Sequence, residues 1–369
     1  MATTPGVPLS LYRAVALCLL LLSAKWVCAQ TPSAALLVLE KSDRSLAIVD
    51  PASLKIVARV PAGDDPHEIV AAPDGKVAYI SNYGGNDSNL NTISLVDLVA
   101  QKPLAPINLG ALHSPHGLAF AGGKLYFTVE TNKAFGRYDP ATQSIDWILG
   151  TGQDRTHMIC VSEGLDRIYT SNVNSGTISI IDQVMSSFPP QARPPGGGPS
   201  PTAGPPPGGT RKTWEITNVA SGRGVEGFDV TPDGKEIWAA NAQDGTVTII
   251  DVASKKPSET FPVSVNHANR LKFTPDGKRV LISGLEPGPG SASKGANLTI
   301  VDAVTHKEIK QLSLGGGSAG ILIVADGSRA FVAVSEKDKV AVIDLKTLEV
   351  TGEIAVGKQP DGLAWAQRK

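Results

Sequence analysis

Polar side chains capable of acid–base chemistry or metal binding recur at one position of a sequence repeat. The seven copies place there, in order, His67, His116, His157, Glu226, Asn269, Ala319 and Asp361. Three arginines lie within three residues of this position, namely Arg155, Arg223 and Arg270. Imidazole, carboxylate and guanidinium groups can transfer protons, bind metals or hold a polar ligand. We predict that the polar members of this set form one ligand-binding site.

The three histidines followed by a glutamate suggest a more specific alternative, a metal site. Neutral imidazole and carboxylate are ordinary ligands of zinc and copper, so His67, His116, His157 and Glu226 are the candidate ligands. Solvated polar residues at equivalent repeat positions would give the same pattern without coordinating anything. The sequence contains neither an HExxH nor a CxxC motif, and it therefore leaves the metal, and any other cofactor, unknown.

The elements that would hold these residues are the strands of a repeated unit. An aliphatic pair followed by aspartate marks six of the seven units, and Arg137-Tyr138-Asp139 is a degenerate copy. Pro-Asp-Gly turns such as Pro73–Gly75 lead into strand-like runs. The marker aspartates are Asp50, Asp97, Asp139, Asp182, Asp251, Asp302 and Asp344. A period near 42 residues with four short strands per unit is typical of a β-propeller blade. We predict an all-β, seven-bladed β-propeller with strands a to d running outward in each blade.

The two ends of the repeat region are complementary. Residues 35–40 read as a strand b without a preceding strand a, and residues 360–366 read as a strand a without a following strand b. Pairing the two segments would complete the first blade and remove an open sheet edge. We therefore predict that the C-terminal strand closes the ring by joining the N-terminal blade. The residues that precede each strand a would then surround the mouth of the central channel.

Three short runs carry a family resemblance. Tyr79–Asn82 and Tyr169–Asn172, with Trp238–Asn241 as a looser copy, resemble the YVTN-type propeller repeat. Together with the Pro-Asp-Gly and Ile-Asp markers, they make the chain similar to exported bacterial YncE-like proteins. The resemblance covers nearly all of residues 30–369, and it implies the propeller fold rather than an activity, since this architecture hosts unrelated functions.

Two enzyme-like alternatives use the same residues. Pro66-His67 and the run Tyr79–Gly85 are similar to segments of propeller 6-phosphogluconolactonases, in which a histidine base beside arginines could activate water. That resemblance implies a lactonase- or lyase-like activity. A metal- or haem-linked oxidoreductase is the other alternative. The sequence has no CxxCH attachment site, which excludes a covalent c-type haem.

The first 29 residues predict a secretory signal peptide. Arg13 precedes a nine-residue apolar run, Ala14–Leu22, and small residues precede a cut after Ala29. Nine residues are too short to cross about 30 Å of hydrocarbon. We expect a periplasmic or secreted product without a membrane span. Cys160 is then the single remaining cysteine, and its apolar surroundings predict a buried side chain rather than a nucleophile.

The net charge and the Pro/Gly content of the sequence bear on its possible partners and on its loops. The net charge of −1 argues against nucleic-acid binding. Fifteen of residues 189–209 are Pro or Gly, which predicts a disordered insertion at about 186–211 within one c–d hairpin.

Two long b–c loops, 82–91 and 284–295, would enlarge the face that carries the histidines. The hypothesis we favour is an exported, monomeric binding or scaffold protein that recognises a small molecule or a partner protein at this face.

Overall fold

A computed structural model describes residues 30–85, 88–188, 208–286 and 295–368. The predicted signal peptide, the centre of the Pro/Gly-rich insertion and the centres of both long b–c loops lie outside these residues. The described chain consists of seven four-stranded antiparallel sheets and one short 3-10 helix, Ser335–Lys337. This arrangement confirms the predicted all-β, seven-bladed β-propeller.

The strands follow one another in the same order in every blade. In chain order they are β1 (Ala34–Glu40), β2 (Ser45–Asp50), β3 (Lys55–Pro61), β4 (Pro66–Ala71), β5 (Val77–Asn82), β6 (Thr92–Asp97), β7 (Lys102–Asn108), β8 (Pro115–Ala121), β9 (Lys124–Val129), β10 (Ala134–Asp139), β11 (Ser144–Gly150), β12 (Thr156–Val161), β13 (Arg167–Asn172), β14 (Thr177–Phe188), β15 (Gly209–Ala220), β16 (Val225–Val230), β17 (Glu236–Asn241), β18 (Thr246–Asp251), β19 (Lys256–Pro262), β20 (Ala268–Phe273), β21 (Arg279–Gly284), β22 (Leu298–Asp302), β23 (Glu308–Leu312), β24 (Ser318–Ile323), β25 (Arg329–Val334), β26 (Lys339–Asp344), β27 (Glu349–Ala355) and β28 (Pro360–Gln367). Blade 1 has the order β28-β1-β2-β3, and blades 2 to 7 take the remaining strands four at a time.

The ring closes as the two ends of the repeat predict. Strand β28 pairs antiparallel with β1, with Leu36 opposite Trp365 and Ala34 opposite Gln367. Leu36 and Leu37 on β1 are completely buried, so β28 covers a strand that would otherwise be an exposed apolar edge.

The repeated aspartates have a structural role at the c–d turns. Asp97 Oδ1 accepts hydrogen bonds from the amides of Val99 and Ala100 at 2.9 and 2.8 Å, which caps the turn that leads into strand d. Equivalent bonds to amides two or three residues further on are made by Asp50, Asp139, Asp251, Asp302 and Asp344. Asp182 precedes the insertion instead of a tight turn, and it pairs with Arg167 and Lys255. The repeated aspartates therefore stabilise turns and do not form a catalytic site.

The hairpin that flanks the predicted insertion extends further on both strands than its sequence suggests. Strands β14 and β15 are twelve residues long, and their register extends outward to Phe188 opposite Gly209. The end segments 186–188 and 209–211 of the predicted disordered range therefore belong to a β-hairpin. Their composition was misleading because backbone pairing between two long strands does not require buried side chains.

Within the described part of the chain, no helix is long and apolar enough to cross a membrane.

Candidate functional site

Each residue at the predicted repeat position, from His67 to Asp361, lies at a β-bulge in strand a. In blade 2 the pairing of β4 with β5 shifts register between Pro66 and Ile69, which leaves His67 and Glu68 unpaired with the neighbouring strand. The same shift occurs between strands a and b of every blade. A bulge bends a strand and redirects a side chain. The repeat therefore turns seven equivalent residues toward the same end of the channel.

A left-handed residue precedes most of these bulges. Two positions before the bulged residue, φ is positive in six blades, at Asp65, Ser114, Arg155, Gly224, His267 and Gln359. Five of these six are not glycine, and such residues occupy the left-handed region only where the surrounding structure compensates for the strain. Asp65 shows one such compensation, because its Oδ2 accepts the amide of Gly84 at 2.7 Å. The backbone that leads into each bulge is thus held in a fixed conformation.

Hydroxyl groups on strand b join the bulge of one blade to that of the next. Thr128 Oγ1 accepts the amide of Gly117 at 2.8 Å and donates to the carbonyl of His157 at 2.6 Å. In the next blade Ser171 likewise accepts the amide of Met158 and donates to the carbonyl of Glu226. The Ser of the YVTN-like runs therefore satisfies backbone groups that the bulge leaves free.

The three predicted histidines form one row of touching rings. The ring centroids of His67 and His116 are 4.5 Å apart, and those of His116 and His157 are 3.6 Å apart. Tyr83 packs edge-on against His116 at 4.8 Å. His116 is completely buried, and neither of its ring nitrogens has a hydrogen-bond partner. Burial lowers the pKa of His116 well below its usual value, as does the neighbouring His157.

His157 lies between two carboxylates. Its Nδ1 contacts Glu130 Oε1 in a short hydrogen bond, and its Nε2 lies 3.0 Å from Glu226 Oε2. Burial disfavours the imidazolium, but Glu226 and Glu130 outweigh it and raise the pKa of His157. Burial likewise opposes ionisation of Glu226, yet His157 with Arg270 and Arg155 lowers the pKa of this carboxyl strongly. The two carboxylates thus favour the protonated form of His157 over the neutral ring.

A cavity of about 300 Å³ lies beside this row at the channel mouth. Seven members of the predicted set line it, and these are His67, His157, Glu226, Asn269, Asp361, Arg155 and Arg270. Lys41 Nζ lies 3.6 Å from Asp361 Oδ2, and Arg155 Nη1 lies 3.5 Å from Glu226 Oε1. Burial lowers the pKa of His67 despite Asp361 3.6 Å away, so His67 presents a neutral ring. The cavity therefore offers charges of both signs and a neutral imidazole.

Arg270 separates this cavity from a second one. Its Nη2 donates to Glu68 Oε1 at 2.7 Å, and its Nη1 lies 3.7 Å from Glu226. The second cavity, of about 390 Å³, is lined largely by apolar residues of the a strands, among them Phe228 and Trp365. Arg270 and Glu68 thus form a polar partition between a charged end and an apolar end of the channel.

The structure does not bring Arg223 to the site. Its side chain is 76% exposed and forms an ion pair with Asp244 at 2.7 Å on the surface. The physical reason is the b–c turn of its own blade, where Asp244 Oδ2 also accepts the amide of Arg223. Ala319, the seventh residue of the repeat position, is buried and lines the cavity without a polar group.

Sequence reasoning missed a second ring of residues, those that directly follow strand b. Lys41, Tyr83, Glu130, Leu285 and Ser335 occupy this position in five blades, and all except Glu130 line the cavity. Glu130 is instead completely enclosed, where it accepts hydrogen bonds from Tyr83 Oη at 2.6 Å and Arg155 Nε at 3.2 Å. Aligning the residue after each strand b, and not only the residue before strand a, would have identified this ring.

Comparisons with known proteins agree with the fold. No protein-family model matches the chain, and no curated protein matches it either. Among solved structures it is similar to Kuenenia stuttgartiensis hydrazine synthase, at 18% identity and a TM-score of 0.63, over 81% of this chain and 89% of that one. It is also similar to a functionally unknown protein from Desulfotomaculum acetoxidans DSM 771, at 13% identity and a TM-score of 0.67, over 91% and 99% of the two chains. Likeness at these identities shows the fold alone, which is that of the seven-bladed β-propellers.

Proposed function

We propose that this protein is an exported β-propeller that binds a small polar molecule in the channel-mouth cavity. The observation that carries the proposal is the lining of that cavity. His67 Nδ1 is buried there without a hydrogen-bond partner. The cations Lys41 and Arg155 line the same cavity as the carboxylates of Asp361 and Glu226. A buried polar atom without a partner is unfavourable unless a bound group or water satisfies it.

The ion pairs around the cavity indicate the class of ligand. Their separations of 3.5 and 3.6 Å exceed ordinary hydrogen-bond lengths. The cations can therefore still donate to a ligand, and the carboxylates can still accept from one. A volume of about 300 Å³ corresponds to the smallest ligand pockets. We propose a compound of amino-acid or sugar-acid size that carries both an acidic or carbonyl acceptor and N–H or O–H donors.

The lactonase-like alternative would have to use His67, because His157 cannot act as its general base. A general base must have a nitrogen free to accept a proton from the substrate or from water. Both nitrogens of His157 face carboxylates, and Arg223 lies outside the cluster. Neither nitrogen of His157 is therefore free to take a proton from a substrate or from water.

Export and family membership are part of the same proposal. The signal-like segment before Gln30 and the YVTN-like runs support an exported, YncE-like protein. N-terminal sequencing of the protein from the periplasmic or extracellular fraction tests this, and Gln30 is the expected first residue. A mature chain that begins at Met1 would contradict it.

Ligand binding is tested with a panel of amino acids, hydroxy acids, sugar acids and amines. Thermal-shift measurements identify the best compound, and calorimetry then compares the wild type with Arg155→Gln and with Arg223→Gln. We expect Arg155→Gln to weaken binding by roughly 10- to 100-fold, the usual contribution of a charged hydrogen bond. Arg223→Gln, the matched arginine outside the cavity, should bind as the wild type does.

Two results would overturn the proposal. One is a panel in which no class of compound raises the melting temperature. The other is a bound compound whose affinity is the same in Arg155→Gln as in Arg223→Gln.

A further inference from the structure

We propose that His116, His157 and Glu130 bind one divalent transition-metal ion. The three residues come from neighbouring blades 3 and 4, on β8, on β12 and directly after β9. One ligand atom from each lies within 4.8 Å of the other two. All three residues are at most 1% exposed. The site differs from the set that the sequence suggested, because Glu130 takes the place of His67 and Glu226.

The spacing fits a shared ion. Nitrogen and oxygen ligands lie about 2.0–2.2 Å from zinc, so ligands of one ion are roughly 3–4 Å apart. The three ligand atoms already lie within 4.8 Å of one another. His157 Nδ1 and Glu130 Oε1, which share a short hydrogen bond, would move apart to admit the ion.

His116 supplies an independent observation that points to a bound group. Its ring is completely buried between His67 and His157, and neither nitrogen makes a hydrogen bond. Imidazole nitrogens buried away from water normally have a partner. A metal ion bound at one of these nitrogens would provide it.

The other two ligands are already oriented by their surroundings. Tyr83 and Arg155 hold Glu130 Oε2, which leaves Oε1 directed at His157. On the opposite side, Glu226 lies 3.0 Å from His157 Nε2. Outer hydrogen bonds of this kind fix the ligands of metal sites. An ion bound between His157 and Glu130 would replace the proton that they share, and that proton would pass to solvent.

The donor set indicates the class of metal. Two imidazoles and one carboxylate suit Zn²⁺, Cu²⁺ or Fe²⁺, whereas Ca²⁺ and Mg²⁺ prefer sites built from oxygen ligands alone. We therefore expect selectivity for first-row transition ions. The inference does not depend on the small-molecule proposal, because it concerns a buried trio at the edge of the cavity and is measured with the ion alone.

The experiment uses full-length protein purified without a histidine tag, stripped with a chelator, and titrated separately with Zn²⁺, Cu²⁺ and Ca²⁺. We expect one equivalent of Zn²⁺ or Cu²⁺ per chain after dialysis and no retained Ca²⁺. His116→Ala and Glu130→Gln should each lower retention at least tenfold. His113→Ala is the matched control, because His113 is only half-buried, lies three residues before His116 and is not one of the three ligands.

Circular dichroism and melting temperature show whether each variant is folded, and His116→Gln replaces His116→Ala if the latter unfolds. A wild-type protein that retains less than a tenth of an equivalent of both Zn²⁺ and Cu²⁺ would overturn the proposal. Folded His116 and Glu130 variants that retain as much ion as His113→Ala would also overturn it.

Discussion

A methyl group added at Gly117 should destabilise the propeller, because the innermost strands of neighbouring blades touch there. A Cβ on Gly117 would lie 2.5 Å from the carbonyl oxygen of His157 and 2.8 Å from the Cα of Met158. Ordinary contact begins at 3.4 Å, and both clashing atoms belong to backbone. Similar contacts with the next strand a occur at Gly227, Gly320 and Gly362. Glycine at this position in four of the seven blades therefore allows the next strand a to approach closely.

The magnitude follows from two opposing effects. Overpacking of this kind costs about 1–3 kcal/mol, while the change from Gly to Ala recovers about 0.4–1 kcal/mol by restricting the unfolded chain. We expect Gly117→Ala to lower the free energy of unfolding by about 1–2 kcal/mol. Urea denaturation measures this value, and the melting temperature should fall by roughly 2–6 °C.

Gly150→Ala is the matched control in the same blade. Gly150 lies in β11 with no atom within 4 Å of an added Cβ, so alanine should be neutral or slightly stabilising there. Equal stability of the two variants would refute the reasoning that close approach of the a strands requires glycine.

Three further predictions concern the same framework. Thr128→Val removes the hydroxyl that bonds the amide of Gly117 and the carbonyl of His157. Urea denaturation should show a free energy of unfolding lower by about 1–3 kcal/mol, and an unchanged midpoint would contradict the role of the hydroxyl. Burial raises the pKa of the Cys160 thiol to about 11. Iodoacetamide at pH 8 should therefore react with Cys160 some hundredfold more slowly than with a free thiol of pKa about 8.5, and the rate should increase as the pH rises toward 11. A rate equal to that of glutathione would count against this. Removing residues 358–369 deletes β28 and exposes β1. Calorimetry should then show a melting temperature lower by many degrees or no cooperative transition. An unaltered transition would disprove closure of the ring by this strand.

The fold could be predicted because its signals are local and repeated. Asp97 and its equivalents mark c–d turns by side-chain hydrogen bonds that involve only adjacent residues, so they are visible in the sequence. Closure of the ring was also predictable, since a strand without its partner stands at each end of the repeat. The hairpin ends around Phe188 and Gly209 were not, because pairing across a low-complexity segment leaves no side-chain pattern.

The site was predictable only in part, for a geometric reason. His67, His116 and His157 share one repeat position, and a bulge that recurs in every blade brings their rings together. Glu130 occupies a different position, after strand b, and its relation to His157 depends on how blade 3 packs against blade 4. Arg223 has the right type and spacing, but a local bond to Asp244 holds it on the surface.

The most direct test of the central claim is a crystal structure of the protein with the best compound from the ligand panel. We expect the compound in the channel-mouth cavity, with a group within hydrogen-bond distance of His67 Nδ1 and a charged group at Arg155 or Asp361. A compound bound in the apolar cavity beyond Arg270, or elsewhere on the surface, with the channel-mouth side chains unchanged, would contradict the claim.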